Sequence, residues 1–362
     1  MFEKKALILA LNPGSTSTKL GLFQGGQELA RVNIAHPREE LAAFSDPTAQ
    51  LPYRRAAVEG FLAQQGVRLP ELAAVVSRGG VMRPLPGGPY RVNAAMIADL
   101  LACRYGTHPC NLGAALAAEL AVPGGALALV VDAPSSDEFQ PLARLSGLPE
   151  LPRRSSFHFL NQRAVGRRLA HDLGLSYSDL NLIGTHLGGG ISVAAHARGR
   201  LIDANNALDG DGPFSPQRAG TLPTAALVDL CFSGRYSRAE IYRLLTTGGG
   251  LTAYLGTQDA REVEARIAAG DENARLVYEG MAYQVAKEIG AMATVLKGQV
   301  DAIFFTGGLA HSELLLDWIK ERVRFIAPLH VYPGEDELLA LAEGALAVLE
   351  GRDAAQEYVP EA

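Results

Sequence analysis

The sequence predicts an α/β protein built as two related lobes. Three observations carry that prediction: the length, a strand–turn–strand unit near the start, and a second unit of the same design near the middle. At 362 residues the chain exceeds one ordinary domain, so two compact lobes are the natural arrangement. The apolar run 6–11 leads into Asn12-Pro13-Gly14-Ser15-Thr16, dense turn chemistry, and a strand-like pattern resumes over 18–23. Much later, 181–187 leads into Gly188-Gly189-Gly190 and resumes over 191–196. Ala197-Arg198-Gly199 then turns the chain into 200–204. The echo, with no short-period repeat, implies two related α/β lobes.

Between the two units, 72–77 and 126–131 are apolar runs of strand length, while 94–103 and 112–120 read as helices. Beyond the second unit the chain turns mostly helical, notably over 274–296, before a strand at 300–305 and a helix at about 312–323. Pro333 precedes Glu335, Asp336 and Glu337, and apolar residues follow at 338, 339, 341, 342, 345, 346, 348 and 349. That spacing predicts a closing helix with acids in its first turn and Gly351 as its stop. The proline-bearing stretch 134–152 is expected to carry the lobe crossing. The first lobe is then 1–153, completed by the closing helix at about 338–351, and the second is 154–337.

Composition narrows the function classes. Hydrophobic residues make up 48% and charged residues 20%, the profile of a globular protein. A net charge of −6 recommends neither nucleic acid nor an anionic membrane as partner, so an anionic substrate needs cations gathered locally. The start is charged at Lys4 and Lys5, and the apolar stretch after it stops at Asn12. That stretch is too short to span a bilayer and reads as a strand, not a signal peptide. Cys103, Cys110 and Cys231 form no C-x-x-C pair and read as idle thiols of a cytoplasmic protein. The P-loop, G-x-G-x-x-G, H-E-x-x-H and G-x-S-x-G patterns are all missing.

Three turns carry phosphate chemistry. The first, 12–19, sets backbone N–H groups and the hydroxyls of Ser15 and Thr16 beside the point charge of Lys19. The second, Gly188-Gly189-Gly190, lets a backbone approach a ligand because no Cβ intervenes. The third, Gly307-Gly308, follows a strand and precedes a helix, where a nucleotide can pack on bare backbone. Each alone is an ordinary turn. Ordered early, middle and late, they resemble the two phosphate motifs and the adenosine motif of the sugar kinase/Hsp70/actin superfamily.

Asn12, where that superfamily usually carries an acid, narrows the resemblance to the short-chain acid kinases of the acetokinase family, butyrate kinases foremost. Matching stretches run along nearly the whole chain: V-S-R-G-G at 76–80, H-P-C-N-L-G-A at 108–114, F-H-F-L-N-Q-R at 157–163, G-T-H-L-G-G-G-I-S-V at 184–193, D-G-P-F-S-P-Q-R-A-G at 211–220 and F-T-G-G-L at 305–309. The resemblance implies two duplicated actin-like ATPase lobes with the ribonuclease H-like motif and ATP in an interdomain cleft. It implies ATP and ADP as cofactors with Mg²⁺, and a short-chain carboxylic acid and its acyl phosphate as substrate and product. A homodimer or larger homo-oligomer is the family habit.

What it implies residue by residue follows the reaction's electrostatics. Two anions must meet, so positioning and charge neutralisation dominate. Arg78 and Arg218 are expected to flank the transferring phosphoryl group and the substrate carboxylate, which suit their planar forks. His158 is expected to donate to an equatorial phosphoryl oxygen, and His108 matches a second family histidine. Asp132 ends a buried-looking strand and would orient substrate. Asn12 would contact phosphate or the metal's waters, with Glu337, ahead of Asp336, as the metal's protein ligand. In Thr257-Gln258-Asp259-Ala260-Arg261, Asp259 would bind ribose hydroxyls and Arg261 stack near adenine. Gly79 and Gly80, lacking side chains beside the carboxylate site, are expected to lengthen the acyl pocket, with Phe157 and Pro216 as apolar walls. That favours C4–C5 acids. An acetate or propionate kinase is the neighbouring alternative, and a nucleotide-binding regulator without turnover is the alternative of another class.

Overall fold

The first apolar run becomes β1 (Leu7–Pro13), and Ile8, Leu9, Ala10 and Leu11 within it are fully buried, as befits a strand covered on both faces. The computed structural model describes residues 6–361; the charged start at 1–5 lies outside them. β1 pairs antiparallel with β2 (Ser17–Gln24) from Leu7↔Gln24 to Pro13↔Thr18, and β2 pairs antiparallel with β3 (Gln27–Ala35). β4 (Ala74–Ser77) lies parallel to β1, and β6 (Leu127–Val131) lies parallel to β4. The short β5 (Pro89–Arg91) and the two-residue strand Gln356–Glu357 extend the far edge.

The second sheet repeats the plan. β7 (Asn181–Leu187), β8 (Ile191–Ala197) and β9 (Arg200–Ala204) run antiparallel in succession. β10 (Ala302–Gly307) lies parallel to β7, and β11 (Leu329–Pro333) lies parallel to β10. The spatial order β6-β4-β1-β2-β3 in the first sheet thus matches β11-β10-β7-β8-β9 in the second. The echo of two hairpins is a duplicated five-strand core.

The described chain divides into two compact units, one of residues up to Asp137 with those from Asp336 onward, the other Glu138–Glu335. In the first unit the helix Leu112–Ala121 is buried along almost its whole length, so its small residues suit close packing on the sheet. The closing helix runs Glu337–Leu349 and Gly351 follows at φ +69°, a left-handed stop that glycine takes without strain. Its first-turn acids divide the work. Asp336 caps the helix, Oδ1 accepting from the Leu339 amide at 3.0 Å, and its Oδ2 accepts from Arg31 at 2.5 Å. Glu337 is left for other partners.

In the second unit the helix Glu272–Val295 buries Tyr278, Met281, Ala282, Val285 and Ile289 at helical spacing against Ile183, Val193, Ile303 and Phe305. Each such large side chain contributes roughly 1.5–3 kcal/mol by burial. Among the described residues, no helix is long and apolar enough to cross a membrane.

Candidate active site

In the first unit, the ends of three elements converge on one pocket lined by Asn12, Ser15, Lys19, Arg78, His108 and Glu337, among others. Asn12 and Lys19 are cross-strand partners at the mouth of the β1–β2 hairpin, and Gly14 N–H closes the tip on the Ser17 carbonyl at 2.7 Å. Arg78 follows directly on β4, and Glu337 opens the closing helix. Glu337 ties them together. Its Oε2 accepts from Asn12 Nδ2 at 2.7 Å and its Oε1 accepts from Arg78 Nη1 at 2.9 Å. An acid at position 12 would repel that carboxylate; this pocket carries its acid on the closing helix.

The Arg78 Nε is buried without a partner among the described residues. His108 Nδ1 accepts from the Cys110 amide at 3.1 Å, which leaves the ring proton on Nε2 as a donor. Burial first, then the nearby Arg78 and Arg54, hold His108 below its ordinary pKa, so the ring is neutral at pH 7. Burial pushes the Cys110 thiol up to about 11, so it is no nucleophile. Thr16 is exposed at the hairpin tip and does not line the pocket; its carbonyl accepts from His36 N–H at 2.8 Å.

The two glycines after Arg78 do not open this pocket. Gly79, at φ +67°, would aim a Cβ at the Val130 side chain, 2.5 Å away. A Cβ on Gly80 would lie 2.5 Å from Asn111 Cα and 2.8 Å from Leu100. Both positions face the interior, so their missing side chains make room for the core and not for an acyl chain. The side chains that line the pocket nearby are Val81 and Pro134. Gly80→Ala is expected to lower the melting temperature by overpacking, at a cost of about 1–3 kcal/mol, because backbone and a well-bonded Asn111 cannot yield. A variant that melts with the wild type would show that the interior gives way.

Asp132 sits at the end of β6 in a left-handed conformation, φ +44°, rare for a residue with a Cβ. Its Oδ1 accepts from Gly88 N–H at 2.7 Å, and its own N–H donates to the Gly88 carbonyl. It pins that loop and does not line the pocket.

In the second unit the glycine tip is built against the Arg218 guanidinium and a stacked pair of imidazoles. The His158 and His186 rings stack at 3.7 Å and 13°, and His158 Nδ1 bonds Ser192 Oγ at 3.0 Å. His186 is buried and bonds Asn161 through Nδ1 at 2.8 Å; burial, with Arg218 adding to it, pushes its pKa to about 3. Arg218 donates through Nη1 to the Ala207 carbonyl, and its Nε is buried with no partner among the described residues. Its guanidinium lies so close to Gly190 that any Cβ there would overlap it. Ser215 Oγ donates to the Gly189 carbonyl at 2.6 Å and accepts from the Arg218 amide at 3.1 Å, which ties the arginine's loop to the hairpin tip. His186 is the residue that sequence reasoning passed over; its position two before the triple glycine, at the end of a buried strand, is the signal that could have found it.

A separate groove in this unit brings together Asp259, Arg261 and Gly308 with Glu264, His311 and Ser312. Gly307 turns at φ +89° with the Leu187 backbone directly against it, so no side chain fits there. Asp259 is held at about 2 chiefly by Arg261, whose Nη2 donates to it at 2.7 Å. Phe157 packs between Phe139 and Phe159, and Pro216 takes the Thr252 amide on its carbonyl at 3.0 Å.

The duplicated core, with a glycine or hydroxyl turn at each hairpin tip, is an α/β fold of the actin-like type with two sheets. Residues 149–324 match the model of the acetokinase family. The fold is similar to that of an acetate kinase from Porphyromonas gingivalis, at 22% identity and a TM-score of 0.78 over 95% of this chain and 100% of that one. A propionate kinase from Francisella tularensis is similar at 19% identity and a TM-score of 0.72, over 94% and 98%. An acetate kinase from Entamoeba histolytica stands at 17% and 0.71, over 94% and 98%.

Proposed function

We propose that the chain transfers the γ-phosphoryl group of ATP to a short-chain carboxylate of butyrate size, giving ADP and the acyl phosphate. The observation that carries the reading is the Glu337 carboxylate bridging Asn12 and Arg78 in a pocket that also holds Lys19 and His108. A carboxylate oxygen attacks the γ-phosphorus as the bond to the β–γ bridging oxygen breaks. The acid arrives ionised, so no proton moves and no general base is needed.

The protein's contribution is then charge and placement. Arg78 offers its free donors to the acid or the phosphoryl oxygens, and His108 offers Nε2–H. In the second unit Arg218, against Gly190, and His158, stacked on the His186 that lies against Gly188, take the phosphoryl charge. Asp259 and Arg261 serve the nucleoside, whose ribose hydroxyls compete for the Asp259 carboxylate. The oxygen donors of Glu337 and Asn12 suit Mg²⁺, which is held through one or two carboxylates with the substrate phosphates and water completing its shell. Bound there, the metal would neutralise charge on the phosphate chain. Asp336 is committed to its cap and to Arg31, which favours Glu337 as the ligand.

Preference for butyrate over acetate rests on the sequence resemblance, with Val81 and Pro134 in place of Gly79 and Gly80 as the residues that limit chain length. Trapping the acyl phosphate with hydroxylamine across acetate, propionate, butyrate, isobutyrate and isovalerate tests both halves. The highest kcat/KM is expected at four or five carbons, with roughly 10- to 200-fold per methylene at most. Highest activity on acetate would reassign the substrate, and no hydroxamate with any acid would remove the kinase reading. A homo-oligomer belongs to the same proposal; the helix Thr224–Phe232 buries none of its residues and leaves Phe232 86% exposed.

A further inference from the structure

The first unit holds another cation that the reaction described above does not use. Arg54, on the helix Leu51–Gln64, is fully buried. Its Nε donates to Gln50 Oε1 at 3.0 Å, and its Nη1 donates to the Ser17 carbonyl at 3.1 Å and to Thr18 Oγ1 at 3.0 Å. Its Nη2 is buried with no partner among the described residues. Every one of those acceptors is neutral. The first carboxylate along the hydrogen-bond chain is Glu40, exposed and reached only through Thr18, His36 and Tyr53.

An unpaired guanidinium out of water is strongly unfavourable unless something compensates its charge. A glutamate at position 50, one helical turn before Arg54, would cancel it in place; the chain has Gln50 there instead. The charge lies under the phosphate hairpin. Ser17 lines the pocket with Lys19 and Arg78, and its carbonyl is held by both the Gly14 N–H and Arg54. A carbonyl bound twice in this way is not available to face, and so repel, an anion at the tip.

We propose that Arg54 is a positioning residue for the phosphate chain: it holds the Ser17 carbonyl inward and lends the hairpin tip an uncancelled positive field, for which the bound polyphosphate is the counter-charge. The proposal rests on the kinase reading only in that the tip takes phosphate.

The test is calorimetric binding of inorganic tripolyphosphate to the full chain at low salt, in wild type and in Gln50→Glu. That substitution keeps Arg54 and its geometry but supplies a carboxylate beside it. Gln50→Glu is expected to weaken binding about tenfold and to flatten its salt dependence, without lowering the melting temperature. A purely structural Arg54 would be indifferent to this change or held more firmly, so unchanged affinity overturns the proposal. Wild type that fails to bind tripolyphosphate overturns it as well. Should Gln50→Glu not fold, Arg54→Lys and Arg54→Gln carry the same comparison: the charged variant should bind about tenfold tighter than the neutral one, and equal affinities overturn the proposal. Binding of tripolyphosphate by a wild-type chain that forms no acyl phosphate would sink the kinase reading and leave this one standing.

Discussion

Arg218→Ala is expected to lower kcat by on the order of 10³ while leaving the fold intact, in line with the loss of a transition-state arginine. Among the described residues the guanidinium makes one hydrogen bond to protein, to the Ala207 carbonyl, and it lies against Gly190 of the glycine tip. Little of the fold depends on it. Burial lowers its pKa, so its charge is held at some cost, as expected of a group meant to meet an anion. Gly190→Ala should reproduce much of the loss without touching the arginine's chemistry, because the new methyl would occupy the guanidinium's place. Single-turnover kinetics on both variants check this. Near-normal turnover in Arg218→Ala would remove it from the mechanism.

Glu337→Ala is expected to reduce kcat on the order of a hundredfold and to raise the Mg²⁺ concentration needed for half-maximal rate. Two losses combine in it. On the proposed role the metal loses its carboxylate, and Asn12 and Arg78 lose the group that fixes both of their side chains. Glu337→Gln separates the two, since an amide oxygen can still accept from one neighbour but carries no charge. A metal titration that superimposes on that of the wild type in both variants would take Glu337 out of the metal site and leave it as a bracket for Arg78.

Much of the frame was legible because its signals are local. β7 and β9 fall where the apolar runs and turns put them, and the closing helix begins one residue before the expected 338. β3 was not legible: in Gln27–Ala35 its pattern alternates between exposed and half-buried, so no apolar run announces it. The same holds for β11, where partial burial leaves His330 and Tyr332 in a strand. Within the first unit, the sequence pointed to Asn12, Lys19, Arg78, His108 and Glu337, which the fold gathers into one pocket across more than three hundred residues of chain. It could not show side-chain direction. Gly79 and Gly80 look like space beside an arginine, yet their Cβ vectors point into the core. Arg54 escaped notice for a related reason, since nothing in Pro52-Tyr53-Arg54-Arg55 tells which arginine is buried.

The division of the chain has a consequence for synthesis. Residues 138–335 are inserted within the first unit, whose last helix begins at Glu337. On the ribosome, where folding proceeds from the N-terminus, Arg78 and Asn12 emerge long before the carboxylate that joins them. A nascent chain halted before residue 337 therefore carries both hairpins and both arginines but lacks the anchoring acid. The link between Asn12 and Arg78 is completed only when the last helix has been made, so a product terminated before it lacks the carboxylate that fixes both side chains.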